Sequence, residues 1–395
     1  MKNSPVPLPL NYSSRRQCIW KEMRRQGIQV LLIEDAEGRR DPSLRYLSGH
    51  PQDALLFLHA EGRSVLVPWD VPLAEQFAQV EEILPYNQFQ RNPAIAVPEI
   101  LKHWGVSSNE PISIEVGPQH PHLSFIELQK ALEKDFPRAS LVCRREGVYS
   151  YLLEVRMIKT PEEISLLKKA AQITDELLLA LESYLQAEDD LSETDLALFI
   201  ETEARKRGAE GTSFETLAAG PERSFAIHPY PTFGPNSFKT TSKAGLSILD
   251  FGIRYEGYSS DVTFTLARGP LTDRMELLIQ LVEEGYKKAL SLCQPGSPTW
   301  EIAQEVQTYF NQKGFSMPHA LGHGIGLAVH EYPFFRPKEQ GGAILAPGMV
   351  LTLEPGLYEP GTGGVRLEND VLITESGHKV LTHSRIQKLP GPLSQ

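Results

Sequence analysis

Two domains, an α/β domain over residues 1–157 followed by an α+β domain over residues 158–395, are predicted by three features of the sequence. At 395 residues the chain exceeds the roughly 250–300 that one hydrophobic core serves. Helix and strand signals alternate over the first part of the chain, the pattern of an α/β layer structure. A helix start then marks the joint: Thr160-Pro161-Glu162-Glu163 offers an N-cap residue, proline at the first helical position and acids in the first turn.

In the first domain, Ser14 to Gln26 carries Ile19, Trp20 and Met23 on one helical stripe, and Gln29 to Ile33 follows as a strand. Further strands are expected at Ala54 to Leu58, Ser64 to Pro68, Ile112 to Val116 and Ser140 to Cys143, with helices at Val71 to Ala78 and Ser124 to Phe136. No glycine-rich phosphate loop follows any strand. His103, His120 and His122 form no ligand pattern and read as ordinary surface or turn residues, so the first domain reads as scaffold or partner-facing surface.

The second domain opens with a helix through Leu166, Leu167, Ala170, Ala171 and Leu177 to about Tyr184, then one from Ser192 to near Gly208. Phe214 to Gly220 is strand-like. His228, between Ile227 and Pro229, lies on an extended, proline-stiffened loop, because the residue before a proline is driven out of helical geometry. From Leu249 to Thr263 two short strands meet at a tight turn. A turn centred between Tyr255 and Glu256 places Asp250 and Asp261 opposite each other, with Cβ atoms about 5 Å apart, where like charges repel. A shared cation would answer that repulsion; a solvated loop with scattered acids is the plain alternative. Two packing helices, Leu271 to Leu292 and Thr299 to Lys313, come next.

His319, His323 and His330 fall within a dozen positions of a chain with eleven histidines. Gly322, Gly324 and Gly326 make a helix there improbable and would let the backbone approach a ligand closely around His323. Two further strands are expected: in Val350 to Gly356 alternation separates Leu351 and Leu353 from Thr352 and Glu354, and in Gly364 to Asp370 it groups Arg366 with Glu368.

Composition narrows the class. Hydrophobic residues at 41% and charged residues at 23% describe a globular protein, and a net charge of −11 argues against a nucleic-acid partner. No apolar run approaches a membrane span, and the first residues show no continuous apolar core of a signal peptide. Cys18, Cys143 and Cys293 are too few and too far apart for a disulfide framework or a zinc knuckle, which makes a cytoplasmic enzyme the default expectation. Asp250, Asp261, His323, Glu354 and Glu368 together offer four carboxylates and one imidazole. That donor set balances two divalent cations and suits Mn²⁺, with Co²⁺, Fe²⁺ or Zn²⁺ as alternatives.

These residues resemble those of the pita-bread metallopeptidases, in the aminopeptidase P and prolidase branch. The resemblance covers most of the chain. It rests on the junction Arg156 to Glu163, the ten-residue gap between Asp250 and Asp261, the histidine block, Glu354-Pro355-Gly356 and Val365-Arg366-Leu367-Glu368. It implies a creatinase-type N-terminal domain and a pita-bread, methionine aminopeptidase-like catalytic domain. The implied reaction is dinuclear-metal hydrolysis of an Xaa-Pro bond, at the amino end of a peptide or in a dipeptide, by a metal-bridging hydroxide. By position, Asp250 would chelate one metal, Asp261 and Glu368 would bridge both, and His323 and Glu354 would hold the other, with Glu354 also the proton shuttle. His228 and His330 would contact the scissile carbonyl and the tetrahedral intermediate, while His319 and Arg366 would orient ligands. Homodimers or homotetramers are implied as well.

One departure is Phe264, where the family commonly has arginine; the missing charge puts pairing near the site, and substrate range, in question. Two other readings stay open. A metal-free creatinase-like amidinohydrolase or lyase would lack most of the acidic ligands, and a non-catalytic peptide-binding pita-bread module usually loses them.

Overall fold

The computed structural model describes residues 10–188, 190–233 and 238–391, and clusters into two units divided between Val155 and Arg156. Among the described residues, no helix is long and apolar enough to cross a membrane.

The first unit is a six-stranded mixed sheet in the order β4-β3-β2-β1-β5-β6. Its strands are β1 (Val30–Asp35), β2 (Ala54–His59), β3 (Arg63–Pro68), β4 (Glu82–Ile83), β5 (Ile112–Val116) and β6 (Ala139–Val142). Six helices surround it: α1 (Tyr12–Gln26), α2 (Pro42–Ser48), α3 (Val71–Phe77), α4 (Pro93–His103), α5 (His122–Asp135) and α6 (Val148–Val155). Each expected strand is present within a residue or two. Helices α2, α4 and α6 were not anticipated. Helix α4 starts on an Asn92 cap with Pro93 in its first turn, and it carries Pro98 inside, a residue that argues against helix in a sequence. His120 lies in the turn after β5, as read, but its side chain is not at the surface: it is 5% exposed, with Nδ1 3.2 Å from Glu34.

In the second unit, α7 (Pro161–Ala187) and α8 (Glu193–Lys206) both begin with reciprocal capping boxes, Thr160 with Glu163 and Ser192 with Asp195. The strands follow as β7 (Gly211–Thr212), β8 (Leu217–Ala219), β9 (Gly245–Phe251), β10 (Ile253–Tyr255), β11 (Tyr258–Ser259) and β12 (Val262–Arg268). Helices α9 (Asp273–Leu292) and α10 (Thr299–Gln312) lead to β13 (His323–Gly324), β14 (Glu331–Phe334), β15 (Val350–Leu353) and β16 (Gly356–Glu359). The last strands are β17 (Gly363–Arg366), β18 (Asn369–Thr374), β19 (Gly377–Val380) and β20 (Ile386–Leu389).

Two sheets dominate, β20-β12-β9-β8 and β14-β13-β15-β18-β19. Residue alternation decides what each face sees. Leu249, Phe251, Val262, Phe264 and Leu266 turn outward into one core with Ile173, Leu177 and Leu181 of α7 and Leu196 and Ile200 of α8. Leu351, Leu353, Val371 and Ile373 turn outward into another with Leu278, Val282, Ile302, Val306 and Phe310 of α9 and α10. The remaining positions, Asp250, Thr263, Thr352 and Asp370 among them, are left on the opposite, inward faces.

Phe264 is therefore not beside the inward-facing polar residues. It is fully buried on the helix side of β12, opposite in face to Thr263 and Thr265, so its apolar character removes no charge from the inner face. Phe264→Ala is expected to cost about 3–5 kcal/mol, seen as a lower thermal midpoint by calorimetry at unchanged metal content. An unchanged midpoint would mean the ring does not fill this core.

The hairpin register also differs from the expected one. Asp250 pairs with Thr263 and Tyr255 with Tyr258, so the turn centres on Glu256-Gly257, one residue later. Both turn residues have positive φ, 47° and 85°, as a type I′ turn requires. Asp250 and Asp261 become diagonal neighbours on one face instead of an opposed pair. Asparagine or aspartate would signal such a turn more strongly than glutamate does.

Candidate metal centre

Asp250 stands on β9, and His323 opens β13. Asp261, Glu354 and Glu368 sit off the ladders: just before β12, just after β15, and between β17 and β18. This corrects the expectation that all four carboxylates lie on strands. Gly364 to Asp370 is not one strand but two, belonging to different sheets, and Glu368 occupies the crossing. The off-ladder amides find other partners: Glu354 N–H donates to the Leu321 carbonyl (2.9 Å) and Asp261 N–H to the Asp370 carboxylate (3.2 Å). Strand ends free their side chains to converge where ladder positions would hold them apart.

They do converge. Asp261, His323 and Glu368, all buried, present ligand atoms within 4.8 Å of one another. His323 Nδ1 lies 3.1 Å from the Gly324 carbonyl, an arrangement that assigns the proton to Nδ1 and leaves the Nε2 lone pair facing inward. That nitrogen is 3.7 Å from both Asp261 Oδ2 and Glu354 Oε1. Asp250 Oδ2 is held at 2.5 Å by Arg366 Nη2, while Asp250 Oδ1 and Asp261 Oδ1 are buried without a hydrogen bond.

The electrostatics follow from packing like charges out of water. Burial, then the Glu368 and Asp250 charges, push the Asp261 carboxyl well above its usual range. Burial and Glu368 do the same to Glu354, and burial raises Asp250 against the pull of Arg366. Glu368 is pushed up to about 7 by burial and the Asp250 charge, opposed by Arg366 and by hydrogen bonds from Thr263 and Thr352. Burial depresses His323 to about 3, which keeps the imidazole neutral, the form a cation can use.

The remaining histidines take distinct places. His330 packs edge-on against His323 with ring centroids 4.3 Å apart, and its own ring is solvent-exposed. His228 is exposed on its loop and close enough for its charge to act on Asp250, His319 and His330. His319 Nε2 is 2.9 Å from the Tyr358 hydroxyl, and its Nδ1 is 3.8 Å from Glu354. The three glycines of the histidine block differ from expectation. A Cβ at Gly322 would strike the Thr352 carbonyl, at Gly324 the Tyr332 carbonyl and at Gly326 the Glu331 carboxylate. They admit neighbouring protein, not a ligand.

Several residues escaped the sequence reading. Thr263 Oγ1 donates to Glu368 (2.7 Å) and accepts from Arg366 Nε (2.7 Å). Thr352 Oγ1 accepts from the His323 amide (3.2 Å). Tyr358 accepts from Arg366 Nη1 (2.7 Å). Asp370 orients Asp261 through its amide. Alternation already put Thr352 beside Glu354, and Thr263 and Asp370 each lie two residues from a carboxylate, so a same-face search would have found them; nothing marked Tyr358. Glu331 is buried against Arg156 and Lys159 (2.8 Å to the lysine), and though burial pushes its carboxyl up, the two cations hold it below its usual range.

Four clustered carboxylates with two unpartnered inward oxygens and one inward imidazole lone pair form a donor set that suits divalent cations. Comparison with known proteins agrees. Residues 165–375 match the description of metallopeptidase family M24, and residues 15–145 that of the creatinase/prolidase N-terminal domain. The chain is 30% identical over 367 residues to the Xaa-Pro dipeptidase of Pyrococcus horikoshii, covering 91% of this chain and 94% of that one. It is 31% identical over 319 residues to the Xaa-Pro dipeptidase of Pyrococcus furiosus, covering 80% and 84%. The structure of a Bacillus anthracis Xaa-Pro dipeptidase superposes with a TM-score of 0.81 at 26% identity, covering 96% of this chain and all of the other.

Fold and family define a divalent-metal peptidase: a creatinase-type N-terminal domain followed by a pita-bread catalytic domain. The chain belongs to metallopeptidase family M24.

Proposed function

We propose that this protein is a metallo-exopeptidase that hydrolyses Xaa-Pro dipeptides, with Asp250, Asp261, His323, Glu354 and Glu368 holding two divalent cations. The observation that carries the reading is the buried convergence of Asp261, His323 and Glu368, with Glu354 in reach of the same imidazole nitrogen. Four oxygen donors to one nitrogen favour Mn²⁺. When bound, the cations would neutralise the clustered carboxylates, acidify water and polarise the scissile carbonyl.

The chain's own groups do the rest. Glu354, on the open side of the cluster and partly exposed, takes a proton from the attacking water at its carboxylate and gives it to the leaving proline nitrogen as the C–N bond breaks. His228 and His330, both exposed and near the cluster, present N–H groups to the oxyanion of the carbonyl. Arg366, wholly buried, uses its guanidinium to fix Asp250 and Tyr358, while Tyr358 fixes His319. Proline's missing N–H and fixed φ make such substrates poor for general peptidases. Residues 1–157 serve as the N-terminal domain, residues 158–395 as the catalytic domain, in a cytoplasmic homodimer or homotetramer.

A digest with Mn²⁺, Co²⁺ and Zn²⁺ compared tests this. Xaa-Pro dipeptides should be cleaved at least tenfold faster than Xaa-Pro-Yaa peptides, and fastest with Mn²⁺. Preference for the longer peptides would place the enzyme with the aminopeptidases P. No cleavage with any metal would overturn the reading.

A further inference from the structure

We infer that Glu193 is a positioning residue for His228, acting as a latch that closes the base of the loop carrying it; this rests on the role proposed above for His228. Glu193 lies in the first turn of α8 and is fully buried. A carboxylate so placed is costly unless every lone pair finds a donor. The donors come from both ends of one loop. Glu193 Oε1 accepts from the Gly220 amide (2.8 Å), and Oε2 accepts from the Thr232 amide (2.8 Å), the Thr232 hydroxyl (2.9 Å) and the Arg223 guanidinium. Gly220 follows β8 directly, and Thr232 lies four residues past His228. A single side chain therefore clamps the entry and the exit of the segment that bears the histidine.

The rest of the loop is braced on the same frame. Arg223 Nη2 donates to the Tyr230 carbonyl (2.9 Å), spanning the loop from inside. The Gly364 amide donates to Ser224 Oγ (3.0 Å), and Arg366 Nη1 donates to the Ile227 carbonyl (3.0 Å). The Ala218 amide donates to the Pro229 carbonyl (3.2 Å). Both peptide neighbours of His228 are tied down, yet its ring is exposed and makes no hydrogen bond of its own among the described contacts. The position of that imidazole is thus set by its loop, and Glu193 holds the loop's base. Both carboxylate oxygens of Glu193 are taken up by donors of this loop, so its effect on the reaction passes through the loop and the His228 it carries.

All four partners are donors, which only a carboxylate satisfies; the NH₂ of glutamine would face at least one of them. Glu193→Gln is therefore expected to lower kcat on an Xaa-Pro dipeptide with Mn²⁺ about tenfold, with metal content retained. The deciding measurement is a double-mutant cycle with His228→Ala. If Glu193 acts through His228, adding Glu193→Gln to His228→Ala changes kcat by less than twofold. Arg223→Gln, a milder change at a partly exposed position, runs the same cycle should Glu193→Gln fail to fold, with a loss of about threefold expected alone and none in the His228→Ala background. Multiplying effects in a cycle where His228→Ala is itself impaired overturn the latch and leave the role of His228 standing. Wild-type turnover in His228→Ala overturns the role of His228 and the latch with it. Wild-type turnover in both latch variants overturns the latch alone.

Discussion

Glu354→Gln should lower turnover of an Xaa-Pro dipeptide by about 10²–10⁴-fold, the range a positioned general acid–base group contributes. Glutamine has nearly the same shape and keeps one oxygen that can ligate a cation, but it cannot take up a proton. The environment of Glu354 suits a group that must hold a proton for part of the cycle. Burial and the neighbouring Glu368 charge raise its carboxyl well above the ordinary range, and its side chain is more open to solvent than those of Asp261 or His323. Because Glu354 is also proposed as a ligand, the assay must be paired with elemental analysis of the same sample. Loss of turnover with both metal equivalents present assigns the defect to proton transfer; loss of metal assigns it to ligation. Undiminished metal-dependent turnover would remove Glu354 from the shuttle role.

The parts of this architecture that could be read from the chain are those governed by local rules. The capping boxes at Thr160 and Ser192 announced α7 and α8 because a cap is a contact between residues three apart. The outward face of β15 followed from alternation. What could not be read depended on one sheet meeting another. Glu368 was expected on a continuous strand with Arg366, but β17 and β18 belong to different sheets, and no local signal marks where a chain leaves one ladder for the next. The hairpin shift by one residue has a similar origin: Glu256 accepts a left-handed conformation that its type rarely adopts, so the turn lies where propensity would not put it. Phe264 was judged by its proximity in sequence to Asp261, whereas face, not proximity, decides which neighbours a strand residue meets. His120 shows the converse, a buried histidine that periodicity had no means to place.

Stripping the metal should cost the protein increasingly more stability as pH rises from about 5 to 7.5. The sign follows from the raised carboxyls. A group that holds its proton more tightly in the folded than in the unfolded chain favours folding below its unfolded pKa, and that advantage is lost as pH climbs through the folded value. For Glu368 the window runs from its ordinary 4.5 to about 7, a loss of the order of 3 kcal/mol. Asp261, Glu354 and Asp250 shift in the same direction, and because they repel one another their contributions come as a coupled set. Bound cations replace the protons and cancel the repulsion, so the gap between loaded and stripped thermal midpoints should widen with pH by several degrees, as calorimetry in matched buffers would record. Glu331 does not confuse the comparison. Its carboxyl is held below the ordinary range, so the stability it contributes is lost only as pH falls through that lowered value, outside the window and equally in both forms. Parallel midpoint profiles for the two forms would show that the clustered acids do not carry the charge that a pair of cations is proposed to balance.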